Sequence, residues 1–374
     1  MMTIKRKLSI LHVVPKLSTG GTEQNAVRLA RSLAKKGFEN KFIAIFPGDE
    51  SMRFAIEEIS QYPIEILPNK RLQRLFGFML AVMSSRPKAI IFHFFNIDQA
   101  FMALISCILG IKCIIAAAGT AATDLQAGNK AKWKIAIILN RISRVPIVSA
   151  SRWVETTLKT LTRLPSGSRV VKNGIDVDSF IIKRDMRLEC RLPRDGFVLG
   201  MVARLESSKD HVTLIKGFAQ FVSAVPEANA ELRIIGEGPL RNELEILTKK
   251  LDLSNRIFFF GLRSDVPKQL AELDVFVFST TRKEGFGNVL IEALAAGVPI
   301  IANDIPSSNE VLMGGKFGTL VSCAEPQAWA RALERFWNEG PKILPPKIEE
   351  IKVIYGMAQF CEAYLDILGL DERK

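Results

Sequence analysis

Val275-Phe276-Val277-Phe278 is followed by Ser279-Thr280-Thr281-Arg282-Lys283, and then by Glu284-Gly285-Phe286-Gly287-Asn288-Val289-Leu290-Ile291-Glu292. The first four residues are a short apolar run bounded by polar residues, which reads as a buried strand. From Asn288 to Ala296 the chain is apolar nearly all round, so a helix there is buried on every side. Between them lies a loop with two glycines. Strand, glycine loop and helix in that order make half of a parallel strand–helix–strand unit. The first amides of such a helix point at a bound anion, and glycine lets a ligand approach the backbone.

The same alternation extends outward. Downstream stands a strand at Pro299–Ala302. Upstream, strands at Phe197–Val202, Leu232–Ile235 and Ile257–Phe260 alternate with helices at Asp210–Val225 and Leu240–Leu251. An earlier series has strands at Leu8–Val14, Lys41–Phe46, Ala89–Phe94, Lys112–Ala118 and Pro146–Ala150. Its first helix, Thr22–Lys36, turns Ala26, Val27, Leu29, Ala30, Leu33 and Ala34 inward and stops at Gly37. The apolar stretch from Ile97 to Gly119 is interrupted by Asp98, Gly110 and Lys112. A membrane span needs about 20 mostly apolar residues, so this is a buried helix followed by a buried strand.

Strands alternating with helices mean parallel sheets covered on both faces. The expected class is therefore α/β, with two Rossmann-like doubly wound domains. Residues 1–180 form the first and 196–349 the second. The polar stretch Lys172–Pro193 supplies a linker, placed at 181–195. Pro341–Pro346 breaks the pattern before a last helix near Ile348–Leu368, with 350–374 set apart as a C-terminal helix. Ligands of such folds bind outside the carboxyl ends of the strands.

Composition agrees. A chain of 374 residues suits two domains, and 48 % hydrophobic residues suffice for two cores. Cys107, Cys113, Cys190, Cys323 and Cys361 are scattered and odd in number, and there are three histidines. A disulfide framework or a zinc site is not expected, and a reducing compartment is. After Lys5, Arg6 and Lys7 comes a short strand, not the apolar core of a signal peptide. The net charge of +12 is uneven. Residues 1–172 hold 26 Lys/Arg against 10 Asp/Glu, and 173–374 hold 25 against 29. Such asymmetry points to an anionic partner for the first half, against the plainer reading of a solvated basic surface.

Several residues can carry chemistry. A buried Glu292 needs hydrogen-bond donors, which a ribose diol or a structural lysine would supply. Glu284 can meet sugar hydroxyls or remain an exposed loop acid. Arg204 and Lys209 flank the loop after the strand Phe197–Val202, where they can neutralise a diphosphate or serve as ordinary surface charges. Ser18-Thr19-Gly20-Gly21-Thr22 is a glycine turn able to present amides, although any tight strand–helix turn uses glycine. Gly236-Glu237-Gly238-Pro239-Leu240-Arg241 imitates the dinucleotide fingerprint but has Arg241 at its third glycine, so NAD is not expected. Asp176-Val177-Asp178 follows Asn173-Gly174-Ile175 and reads as turn chemistry rather than a metal pair.

In order and spacing these segments resemble the family 4 glycosyltransferases of the GT-B fold, over nearly the whole chain. The matching residues are Gly20-Gly21-x-Glu23, Asn173-Gly174-Ile175-Asp176 with Phe180, Arg204-Leu205 with Lys209, Gly236-x-Gly238, Gly261, Glu284 and Glu292 with seven residues between, and Glu310. The resemblance implies a retaining, metal-independent transfer with no cofactor, in a cleft between the two domains. It implies that Arg204 and Lys209 hold a diphosphate, Glu292 the ribose and Glu284 the transferred sugar. Arg204, Lys209 and Glu284 are the expected catalytic residues. Gly20, Gly21, Gly236, Arg263, Gly285, Phe286, Gly287, Asn288, Val289 and Glu292 complete the expected donor site. It further implies that the last helix crosses back onto the first domain. One departure stands at Ala118 in Ala116-Ala117-Ala118-Gly119-Thr120, where relatives carry a histidine near the sugar. Thr120 and Asp124 are candidate substitutes.

The expected reaction is hexosyl or N-acetylhexosaminyl transfer from a nucleotide-diphosphate sugar to a glycan acceptor of the lipid-linked kind used in bacterial surface polysaccharide or lipopolysaccharide synthesis. The frequency of uridine donors in the family favours UDP. Alternatives are a sugar-nucleotide epimerase or phosphorylase of the same fold, and a non-catalytic binding subunit, which Ala118 motivates. A nucleic-acid partner is not expected. Lys70-Arg71-Leu72-Gln73-Arg74-Leu75-Phe76-Gly77-Phe78-Met79, and Lys130, Lys132, Trp133 and Lys134, mix cations with large apolar groups. Such segments lie on anionic bilayers, or else turn Leu72, Leu75, Phe76 and Met79 to a core. The expected location is cytoplasmic, peripheral on the inner face of the cytoplasmic membrane.

Overall fold

A computed structural model of the chain describes residues 8–370 except 19, 49, 61, 118–120, 124–126 and 182–195. The chain divides into two compact units. One runs to Ile175 and resumes at Tyr355; the other is Asp176–Ile354. Most of the linker placed at 181–195 lies outside the described residues.

The first unit opens with β1 (Ser9–Val14), α1 (Gly21–Lys35), β2 (Glu39–Ala44), α2 (Arg53–Ser60), β3 (Glu65–Ile66), α3 (Arg71–Ser85) and β4 (Ala89–Phe92). It continues through α4 (Ile97–Ile108), β5 (Lys112–Ala117), α5 (Ala127–Ile142), β6 (Ile147–Ser149), α6 (Arg152–Lys159) and β7 (Arg169–Val170). The sheet order is β3-β2-β1-β4-β5-β6-β7. Every pairing within it is parallel. Its strands are short runs of valine, isoleucine and phenylalanine because both faces are covered. Short polar side chains start the helices. Asn96 accepts from the Gln99 amide at 2.8 Å to cap α4, and Ser151 accepts from Val154 at 3.1 Å to cap α6.

The second unit runs β8 (Phe197–Val202), α7 (His211–Ala224), β9 (Ala230–Ile235), α8 (Arg241–Lys250), β10 (Ile257–Gly261), α9 (Val266–Ala271), β11 (Val275–Phe278) and α10 (Asn288–Ala295). It ends with β12 (Ile300–Asn303), α11 (Pro306–Val311), β13 (Thr319–Val321), α12 (Pro326–Glu339) and α13 (Ile348–Tyr355). The order β10-β9-β8-β11-β12-β13 is again all parallel. Its core packs Phe197, Phe218, Phe221, Trp329 and Phe336 around β8 and β9.

The last helix differs from the expectation. Ile348–Leu368 is not one helix; α13 stops at Tyr355 and α14 (Met357–Leu368) begins after an extended Gly356. The break lets the backbone pair sideways. Ile175 donates to the Tyr355 carbonyl at 2.8 Å and forms a parallel bridge with Gly356. From there α14 lays Phe360, Cys361, Tyr364, Leu365 and Leu368 against Ile10, Leu29, Leu33, Ile91 and Ile114 of the first unit. Arg169 ties it further, reaching Asp366 at 2.7 Å and the Ala363 carbonyl at 3.2 Å.

Candidate active site

In each sheet the strand order reverses once, between β1 and β4 in the first and between β8 and β11 in the second. Loops diverge there and leave a crevice at the carboxyl edge, where ligands of open α/β sheets bind. Arg204 and Lys209 lie in the loop after β8. Glu284 through Gly287 lie in the loop after β11, with Glu292 on α10. Arg204, Lys209, Glu284 through Gly287, and Glu292 thus lie on elements that flank one switch point.

Neighbouring hydroxyls and carbonyls lock these two loops together. The Ser208 carbonyl accepts from the Thr281 amide at 3.1 Å and from the Thr280 and Thr281 hydroxyls at 3.0 and 3.1 Å. The Ser279 hydroxyl donates to the Asp210 carbonyl at 2.7 Å. The Thr280 amide is held from the far side by Asn303 Oδ1 at 2.8 Å. Asp210 caps α7 through the Thr213 amide. His211 turns Nδ1 onto the Lys209 carbonyl at 3.0 Å, and burial brings its pKa down to about 4. It is therefore neutral and donates from Nδ1. The sequence reading passed over Ser208, Ser279, Thr280, Thr281, Asn303 and His211. Their signal was three successive hydroxyl residues after a buried strand, which water-exposed turns and functional loops share.

Lys209 Nζ pairs with Glu284 Oε2, and both side chains are largely buried, 18 % and 9 % exposed. The ammonium also sits 5.4 Å from the centre of the Phe278 ring. The expected diphosphate cation and the expected sugar carboxylate are thus each other's partners. Glu284 also faces its own loop, with the Phe286 amide at 3.4 Å. Arg204 is more exposed and stands 3.4 Å from Glu206. Gly285, Phe286 and Gly287 are buried, and Asn288 and Val289 half-buried. Gly287 opens α10 at φ +85, a conformation that favours glycine. Glu292 is 6 % exposed.

Other expected donor residues lie further out along the same edge. Gly236, at φ +141, packs on the Ala203 carbonyl, leaving no room for a Cβ. With the Leu205 amide donating to the Glu237 carbonyl at 3.0 Å, this contact braces the Arg204 loop. Arg263 follows β10 at the end of the sheet and binds Asp265 through two 2.9 Å contacts. In the first unit Gly20 and Gly21 open α1, and the Gly20 carbonyl accepts from Gln24 at 2.9 Å. Ala118, Gly119, Thr120 and Asp124, with Thr19 of the glycine turn, lie outside the described residues. Asp178 pairs with Lys352 at 2.6 Å, and no group of three potential metal ligands occurs among the described residues. A polar recess of about 640 Å³ near Asn229, Arg233 and Arg256 opens at the amino edge of β8 and β9, away from these loops.

The basic amphipathic segments correct the sequence reading at one residue. Arg74 does not face a solvent or membrane surface. It is buried, 2.7 Å from Asp98 and 4.4 Å from the Phe46 ring centre. Arg71 shares Asp98 at 2.7 Å. Trp133 packs edge-on against Phe95. Leu72 and Phe76, by contrast, are exposed, 82 % and 57 %. No helix among the described residues is long and apolar enough to cross a membrane.

Comparison with known proteins agrees with this architecture. Residues 183–349 match the family described as glycosyl transferases group 1. The chain is 32 % identical over 169 residues to the N-acetylgalactosamine-N,N'-diacetylbacillosaminyl-diphospho-undecaprenol 4-alpha-N-acetylgalactosaminyltransferase of Campylobacter jejuni, covering 45 % of this chain and 44 % of that protein. It is 26 % identical to the N-acetyl-alpha-D-glucosaminyl L-malate synthase of Bacillus anthracis over 95 % of this chain and 96 % of that one. The chain matches only about half the length of the first of these relatives. The crystal structure of Anabaena HepE in complex with UDP and glucose superposes with a TM-score of 0.79 over 97 % of this chain and 99 % of that one, at 19 % identity, which establishes the shared GT-B fold. The second unit of the chain thus matches the glycosyl transferases group 1 over residues 183–349, and the chain shares the GT-B fold of HepE.

Proposed function

We propose that the protein is a retaining glycosyltransferase of family 4, moving a hexose or N-acetylhexosamine from a UDP-sugar to a glycan acceptor. The observation that carries this reading is the convergence of Arg204, Lys209, Glu284 and Glu292 on the switch point of the second sheet. The diphosphate takes Arg204, Lys209 and the first amides of α10, with Gly285, Phe286, Gly287, Asn288 and Val289 lining its path. Positive groups fixed where the leaving diphosphate gathers charge stabilise it as the anomeric bond breaks, usually the largest catalytic effect. Lys209 then moves its charge from Glu284 to phosphate, which frees Glu284 to accept hydroxyls of the transferred sugar. Glu292 holds the ribose diol. Gly236 and Arg263 contribute from the side of β9 and β10, and Gly20 and Gly21 present backbone amides at the start of α1 in the first unit. No metal or cofactor enters this scheme. HepE, crystallised with UDP and glucose, supports the choice of UDP.

The Campylobacter relative is named for a diphospho-undecaprenol-linked substrate, which supports a lipid-linked acceptor in bacterial surface-polysaccharide synthesis. On this reading the first unit carries the acceptor and rests on the inner face of the cytoplasmic membrane. The exposed apolar row on α3 and the exposed Lys70, Lys130, Lys132 and Lys134 supply the contact. The test is a thermal-shift screen of UDP- and GDP-sugars with wild type and Glu292→Gln. A ligand bound only by the folded state raises its melting temperature. UDP-sugars should stabilise the wild type, and Glu292→Gln should weaken their binding about tenfold or more, the loss of a hydrogen bond to a charged group. Equal donor affinity in the two proteins would remove the ribose assignment.

A further inference from the structure

Three histidines occur in the chain, at 12, 93 and 211, and two of them lie side by side in the interior of the first unit. His12 is on β1, wholly buried, with its ring stacked 4.7 Å from that of Phe42 on β2. His93 immediately follows β4 and is 3 % exposed. Their nitrogens, His12 Nδ1 and His93 Nε2, are 2.9 Å apart. The ring centres are 5.2 Å apart and the planes 12° apart. With so short a nitrogen–nitrogen distance, those values place the rings edge to edge in nearly one plane, the alignment of a good hydrogen bond.

The protons in this chain can be assigned. Asn40 turns its Nδ2 to two backbone carbonyls, Ala30 at 3.1 Å and Phe38 at 3.3 Å, which can only accept. Its Oδ1 therefore faces His12 Nε2, at 2.9 Å, and accepts from it. Burial brings the His12 pKa down to about 4, so the ring is neutral and its Nδ1 bare. A bare Nδ1 needs a donor, so His93 carries its proton on Nε2. His93 is also neutral, because burial and the adjoining His12 ring hold its pKa well below the usual value. Its remaining nitrogen, Nδ1, is then a lone-pair acceptor with no partner among the described residues. A ring that turns Nε2 back toward His12 in the strand interior turns Nδ1 away from it. His93 stands at the carboxyl end of β4, its amide on the Val13 carbonyl of β1 at 2.8 Å, and β1 and β4 flank the switch point of the first sheet. An acceptor fixed by two buried neighbours at that position is a built hydrogen-bonding group.

We propose that His93 is a substrate-binding residue whose bare Nδ1 accepts a hydrogen bond from a sugar hydroxyl of the glycosyl acceptor, with His12 and Asn40 as positioning residues that fix its tautomer. This rests on reading the first unit as the one that carries the acceptor. The tautomer assignment itself does not.

The experiment uses the full chain labelled with ¹⁵N-histidine. Long-range proton–nitrogen spectra at neutral pH should show three neutral rings, with Nε2 protonated in His12 and His93 and Nδ1 protonated in His211. Titration with methyl α-N-acetylglucosaminide should move the His93 Nδ1 resonance upfield, while UDP leaves it in place. His93→Gln keeps a donor toward His12 and takes away the ring Nδ1, its amide oxygen branching from the same carbon as the donor and so lying away from the Nδ1 position. It should raise the KM for the glycoside as acceptor about threefold to tenfold, the loss of one neutral hydrogen bond, with UDP affinity and melting temperature unchanged. Protonation of His93 on Nδ1, or a resonance unmoved by the glycoside, would overturn the proposal, and the titration decides even if the variant fails to fold. If UDP fails to bind, the reading of the second unit falls while the titration still decides this one.

Discussion

The pairing of Lys209 with Glu284 sets the terms for mutagenesis at the residue scale. Removing one member of a largely buried ion pair strands the other, at a cost of about 3–5 kcal/mol for full burial and less here because Lys209 keeps some exposure. Lys209→Ala should therefore lower both stability and turnover, which a mutation aimed only at catalysis would not. The double variant Lys209→Met/Glu284→Gln removes both charges and should recover most of the melting temperature. Its kcat should stay low, by about 10²–10³, as when one charge-stabilising donor is lost. Recovery of activity together with stability would mean that the pair serves only the fold. Activity should also survive EDTA, since fixed cations stand in for a metal; loss on chelation and rescue by Mn²⁺ would return Asp176 and Asp178 to consideration. The sequence made Arg204, Lys209, Glu284 and Glu292 legible because their loops end apolar strands. It hid the Lys209–Glu284 contact, because 75 residues separate partners that only the sheet order brings together. The histidine pair was hidden likewise, since His12 and His93 are 81 residues apart on strands that are neighbours only in space.

At the scale of elements, the long buried strands were legible because unbroken valine, isoleucine and phenylalanine runs have one stable home, the middle of a covered parallel sheet. Phe197–Val202 and Val275–Phe278 have the bounds that their sequence implies. The two-residue edge strands β3 and β7 carry too little pattern to be seen, as does α11. The break at Gly356 was illegible because it answers a distant partner, Ile175. Helix α3 mixes both cases. Its spacing announced an amphipathic helix, yet the faces came out differently from either reading. Phe78, Ala81 and Val82 are buried, Arg74 is buried with them, and Leu72, Phe76, Leu80 and Met83 form an exposed apolar row. Liposome sedimentation tests that row. Binding should require anionic lipid, fall as salt rises, and weaken on Leu72→Glu/Phe76→Glu with no change in melting temperature, because neither side chain is in the core. Arg74→Glu is not a membrane mutation; it sets a carboxylate against Asp98 and should destabilise the first unit. Equal recovery with neutral and anionic vesicles would leave a soluble acceptor as the better reading.

For the molecule as a whole, all three histidines lie in the interior, two in the first unit and one in the second. Burial holds His12 and His211 at about 4 and His93 well below its usual value. In the unfolded chain each takes up a proton near pH 6.5. Between that value and the folded pKa the unfolded state binds more protons, so stability falls as pH falls. The contribution is fully present above pH 6.5 and is lost progressively down to about pH 4. Each neutral histidine costs about 1.4 kcal/mol per pH unit in this window. A domain with a total stability of 5–15 kcal/mol feels two of them strongly. Carboxylates titrate mainly below this range, which leaves pH 6.5 to 5 as a window dominated by histidine. The first unit, with His12 and His93, should therefore lose stability on acidification about twice as steeply as the second, with His211 alone. Scanning calorimetry from pH 7.5 to 5 should show two transitions drawing apart as the lower one descends. His12→Phe, which can stack on Phe42 without titrating, should flatten that descent even if it lowers the starting stability by stranding Asn40 and His93. Transitions that keep a constant separation down to pH 5 would mean that one or both rings of the pair are already protonated in the folded protein.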